Sequence, residues 1–199
     1  MMKANTPPVV LAVVAFVLAT SPAAAHVGSG AQVSIMKGLG HPLMGLDHVL
    51  AMAAIGLWAA SGAGRTLWPI GLATIGAMAI GITMPSIGLS VPLVEPVILV
   101  SVLTVGLLVA ASIRVSPVSG MVIAAAFALF HGFAHGSEIG QARDIYVVTG
   151  VLFSSAVLLG LGFAIGRALS IAGGAGSRLV RLAGTGTTVT GLAMAVAQL

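Results

Sequence analysis

Apolar stretches of about twenty residues recur along this chain, and a stretch of that length crosses a bilayer as a helix. They fall at approximately residues 41–61, 66–86, 93–113, 117–136, 145–167 and 179–198. The connections between them are short, and the loosest is "SIAGGAGSR", residues 170–178, ahead of the last stretch. This pattern leaves no soluble domain and predicts one all-α, six-transmembrane-helix bundle. Composition agrees: 58% of the 199 residues are hydrophobic and 6% are charged, against about 25% charged in a soluble domain. The eight basic residues outnumber the four acidic ones but are scattered, without a run or interleaved aromatics, which excludes a nucleic-acid surface. With no cysteine, disulfides, thiolate metal sites, iron–sulfur clusters and cysteine nucleophiles are excluded together.

The first 25 residues have the form of a secretory signal peptide. Lys3 supplies the positive start, residues 9–19 the short apolar region, and Ser21-Pro22-Ala23-Ala24-Ala25 the small-residue cleavage site. Cleavage after Ala25 makes residues 26–199 the mature transmembrane domain and His26 its N-terminus, outside the cytoplasm. Six crossings then return the C-terminus to the same side. In this orientation the connections carrying Arg65, Arg114, Arg167, Arg178 and Arg181 face the cytoplasm, and Lys37 and Arg143 lie outside. That is the distribution expected of a positive-inside topology.

The rare polar residues are not scattered. Asp47, Glu95, Glu138 and Asp144, and every histidine of the mature chain, fall at the external ends of the helices or in the external tail. Glu95 and Asp144 sit at helix starts, where an acid complements the helix dipole. Asp47 lies inside a stretch expected to be continuous helix, where a carboxylate costs at least ~2.5 kcal/mol to insert, so it invites a functional reading beside a structural one as partner of Arg143 or of an imidazole. The 27 glycines suit close helix packing, Gly132 and Gly136 among them. Met44 and Met52 lie near the face of His48 as core filler or weak soft ligands.

Two motifs carry the chemistry. In "FHGFAHGSE", residues 130–138, His131, His135 and Glu138 fall within about 60° of one another on one helical face, with about 6 Å of rise between the imidazoles. Two imidazoles four residues apart can grip one ion. In "HPLMGLDHVLAM", His41 and His48 share a face within about 20° but are separated by about 10 Å of rise, so a regular helix keeps them from one ion. Asp47 points about 100° away from His48. Counting depth from the external surface puts His41 level with His135 and Glu138, and Asp47 and His48 level with His131, as two layers of ligands in one vestibule. His26, as a free N-terminus, adds an amine and an imidazole at its mouth. Imidazole with carboxylate and no thiolate suits divalent nickel, cobalt, zinc or copper and argues against calcium and Cu(I).

At these residues the chain resembles the HupE/UreJ family of membrane proteins, nickel permeases and accessory proteins of hydrogenase and urease. Both family motifs are complete here, as His41, Asp47 and His48 and as the run from Phe130 to Glu138. The resemblance implies a multi-pass protein of the bacterial inner membrane that is not an enzyme, holds no prosthetic group, and moves Ni(II), or Co(II), into the cytoplasm. Its partners are the metal ion and the lipid bilayer. No phosphate-binding loop is present, so no nucleotide is expected to drive it. Two other readings use the same histidines: an intramembrane metal- or haem-dependent enzyme, and a metal-binding sensor or chaperone subunit.

Overall fold

A computed structural model describes residues 31–61, 67–139 and 144–198; the expected signal peptide, His26, Arg65 and Arg143 lie outside the described residues. The helices are α1 (Ala31–Met44), α2 (Leu46–Ser61), α3 (Leu67–Thr83), α4 (Val94–Ala110), α5 (Pro117–Ile139), α6 (Ile145–Ile171) and α7 (Gly173–Val196), with a 3-10 turn at Pro85–Ile87 after α3. There is no strand among the described residues. Four segments are long and apolar enough to cross a membrane: Trp68–Ile87, Pro117–Ile139, Ile145–Ile171 and Gly173–Val196. Counted as one broken span, the bent pair α1 and α2 would make a fifth. α4 is a shorter apolar helix of 17 residues, about 26 Å against a hydrocarbon core of about 30 Å. Its ends are set by Leu93 and Ser112, both at positive φ. Large apolar side chains such as Trp68, Leu72, Val122, Phe153 and Leu192 point outward, as lipid-facing residues of a multi-pass membrane protein do.

Two expectations about segment boundaries change. The stretch 41–61 is not one regular helix: α1 and α2 meet at a bend of 82°. Pro42 lies inside α1, where it removes a backbone donor and crowds the preceding turn. At the bend Gly45 leaves room for the Asp47 carboxylate, which a Cβ there would meet at 2.9 Å. Asp47 Oδ1 accepts the backbone N–H of His48 at 2.7 Å. Asp47 is therefore a first-turn acid at a helix N-terminus, where the dipole favours it. α1 is helical from Ala31, ahead of His41, and packs on α6. The other change is at 170–178, where α6 and α7 are separated by Ala172 alone; Gly173 at φ 66 makes the turn.

Glycines set the helix pairs. α3 packs on α5, α2 and α1 on α6, and α4 on α7. In the first pair, a Cβ on Gly81 would collide with the Leu129 carbonyl and one on Gly132 with the Met78 carbonyl. The same reciprocity joins Gly56 and Gly162 across α2 and α6. With no hydrophobic drive between helices in lipid, such close backbone approach supplies van der Waals contact over a long seam. It also places the histidine face of α5 opposite the start of α2. Beneath that face Met52, Ile55, Met78, Val102, Val105 and Val151 form a core with no exposed surface.

Candidate metal centre

His41, Asp47, His48, His131, His135 and Glu138 line one cavity of about 380 Å³, with Met44, Gly45, Glu95 and Ile98 among its walls. Four elements build it. α1 carries His41 in its last turn, α2 carries Asp47 and His48 in its first, α5 contributes its last turns, and α4 adds Glu95 from its first turn. The 82° bend decides the geometry. It swings His41 off the face of His48 and onto Glu138, where its Nε2 lies 2.7 Å from Oε2.

The four imidazoles form a file from the cavity mouth into the core. His41 and His135 meet edge to face at a centroid separation of 5.0 Å, His135 and His48 at 4.6 Å, and His48 and His131 at 5.4 Å. Exposure falls along it: the His41 side chain is 28% exposed and Glu138 57%, His135 7%, and His48 and His131 2% each. His135 Nε2 is 3.0 Å from His48 Nδ1, and His48 Nε2 is 3.0 Å from Ser155 Oγ. His131 Nε2 is 2.9 Å from Ser101 Oγ. Among the described residues, His135 Nδ1 is the buried side-chain nitrogen with no hydrogen-bond partner; it faces Glu138 Oε2 at 3.6 Å. One donor atom each from His41, His135 and Glu138 lie within 4.8 Å of one another. Two nitrogens and a carboxylate at that spacing are a donor set that a divalent transition ion fits.

Asp47 lines the cavity but its Oδ1 is engaged by its own helix. Met44 is an exposed wall residue, and Met52 is core. Asp144 caps α6, accepting the Tyr146 N–H at 2.9 Å; a hydrogen bond from Ser34, with the backbone donors, holds its carboxyl below the usual range. Sequence reasoning set Glu95 aside as a helix-start acid, and it is one, yet it also lines the cavity. It overlooked Ser101 and Ser155. The available signal was a hydroxyl in the middle of an otherwise apolar helix.

Comparisons with known proteins identify the family of this chain. A family model described as HupE / UreJ protein matches residues 14–194. Protein HupE of Rhizobium leguminosarum bv. viciae is 38% identical over 174 residues, covering 86% of this chain and 89% of that protein. No solved structure matches the chain. By these matches the chain belongs to the HupE/UreJ family, membrane proteins associated with nickel and cobalt uptake for hydrogenase and urease and not themselves enzymes.

Proposed function

We propose that this protein carries a divalent transition metal, nickel first and cobalt second, across the bacterial inner membrane into the cytoplasm. The observation that carries the reading is the triad of His41, His135 and Glu138, with its unpartnered buried nitrogen aimed at a carboxylate. Nitrogen and oxygen ligands of such ions sit at about 2.0–2.2 Å, so small side-chain shifts let one ion replace the hydrogen bond between His41 and Glu138. His48 and His131 are the next ligands inward, and Asp47 and Glu95 give the cavity negative charge. The six-crossing topology, with α4 counted as a span and both termini outside the cytoplasm, puts this cavity on the external face.

A second feature favours carriage over sensing. α2 begins at the histidine cavity, and its far end, at Ala60 and Ser61, lines another cavity of about 330 Å³ with Ser112, Arg114, Ser170 and Ser177. Between them Ala51, Met52, Ala54 and Ile55 are at most 2% exposed. Two cavities divided by a closed core are what alternating access requires.

The test is uptake of radioactive nickel into liposomes containing only this protein, with and without a proton gradient, and with cobalt as competitor. Uptake no faster than in empty liposomes under both conditions would defeat the proposal.

A further inference from the structure

Ser155 and Ser101 each hold an imidazole of the file, and their hydroxyl protons are already committed. Ser155 Oγ lies 2.8 Å from the Val151 carbonyl oxygen, and Ser101 Oγ lies 2.6 Å from that of Ile98. A carbonyl oxygen only accepts, so a hydroxyl oxygen that close must donate to it. Each serine oxygen is left able only to accept. The imidazole nitrogen beside it must then carry a proton.

The consequence runs through the file. His48 Nε2–H donates to Ser155 Oγ. Its ring nitrogens meet Ser155 and His135, neither of them an anion, so a charged ring would be buried without a counter-ion, at high cost. A neutral His48 with its proton on Nε2 has a lone pair on Nδ1. His135 must therefore donate from Nε2–H to His48 Nδ1, and in the neutral ring, the form that can ligate, this leaves His135 Nδ1 as a lone pair. That atom is the unpartnered one facing Glu138. Two acceptors face each other there, an arrangement that a cation resolves. His131 follows the same rule, with Nε2–H on Ser101 and a lone pair on Nδ1.

We propose that Ser155 and Ser101 are positioning residues of the metal path: Ser155, through His48, sets which nitrogen of His135 is offered to the ion beside Glu138, and Ser101 does the same for His131. The role in the path rests on the metal reading above; the order of protons does not. A serine hydroxyl deep in each of two apolar helices thus decides the chemistry at a cavity one or two imidazoles away. In this state His48 has no free nitrogen, and it becomes a ligand only when its bond to His135 opens. The ion is thereby held at the mouth until His135 moves.

Nitrogen NMR of protein labelled with 15N-histidine, recorded without metal, reads the proton positions directly. The expected spectrum has His48, His131 and His135 all as the Nε2–H form. A proton on Nδ1 of His48 or His135 would overturn the proposal. In S155A the acceptor is gone, and His48 and His135 are expected to shift toward the Nδ1–H form. Cobalt and nickel affinity of the purified protein should fall about 10- to 100-fold, the usual loss when an outer partner of a ligand is removed. S155T, which keeps the hydroxyl, should restore both the spectrum and most of the affinity. In S101A the change should be confined to His131. An S155A protein with unchanged histidine signals and unchanged affinity would overturn the idea. A wild-type protein with the stated proton order that binds neither metal would instead remove the metal reading and leave the hydrogen-bond order standing.

Discussion

Replacing His135 with Ala is expected to abolish nickel uptake while the protein still accumulates in the membrane. His135 stands between the two halves of the site. Its Nδ1 faces Glu138 at 3.6 Å, its Nε2 is 3.0 Å from His48, and its ring packs on His41 at 5.0 Å. Its loss removes one ligand from the mouth and also the contact through which the mouth meets the deeper imidazoles. Loss of an outer partner of a ligand costs about 10- to 100-fold in metal affinity, and loss of the ligand should exceed that, so uptake at limiting nickel should fall to background. Ala in place of His48 or His131 should do the same. Arg178→Ala is the control, because Arg178 lies near the start of α7, at the other end of the bundle from the histidines. Radioactive nickel accumulation in cells expressing each variant, normalised to membrane protein, makes the measurement. Wild-type accumulation by the His135 variant would refute the site.

Bulky substitution at Gly81 should unfold the α3–α5 pair. A Cβ on Gly81 meets the Leu129 carbonyl and the Phe133 backbone nitrogen, and these are backbone atoms that no rotamer change can move. Gly81→Leu must separate α3 from α5 along the seam that also carries Gly132 and Gly136. Overpacking costs typically 1–3 kcal/mol, occasionally more; with no flexible side chain to yield, about 3 kcal/mol or more is expected here. Gly76, with open space around its Cβ position on the same helix, is the comparison, and Gly76→Leu should be tolerated. Thermal unfolding in detergent distinguishes them. A Gly81→Leu protein as stable as Gly76→Leu would mean that the seam is looser than described. Because Gly81 is not a wall of the histidine cavity, lost uptake in that variant would come from displaced α5 and not from a missing ligand.

Much of this architecture was open to reading from residue order. Period and length announced helices long enough for a bilayer, and residue chemistry singled out six side chains that line one cavity. Those inferences need only local rules: about 20 apolar residues span hydrocarbon, and residues three or four apart share a helical face. The same rules misplaced the start of the first mature stretch. Pro42 and Gly45 were visible, but a proline in a helix bends it by an amount that depends on what packs against each half. Here α1 is drawn onto α6 at Gly38 and Gly150 while α2 lies along α6 lower down.

Residue types and spacing were enough to choose imidazole and carboxylate as the working groups, because ligand chemistry belongs to each side chain alone. Which of them meet was settled only by the fold. A regular helix would hold His41 about 10 Å along the axis from His48; the 82° bend instead sets it on Glu138, from a helix 97 positions further along the chain. Ser101 and Ser155 became significant only once α4 and α6 were packed against the histidines, since a hydroxyl's preference for its own helix says nothing of which ring will reach it from another. The place of Asp47 in the first turn of α2 has the same origin. Position along the chain sets what a residue is able to do, and distance between helices, which local periodicity does not encode, selects what it does.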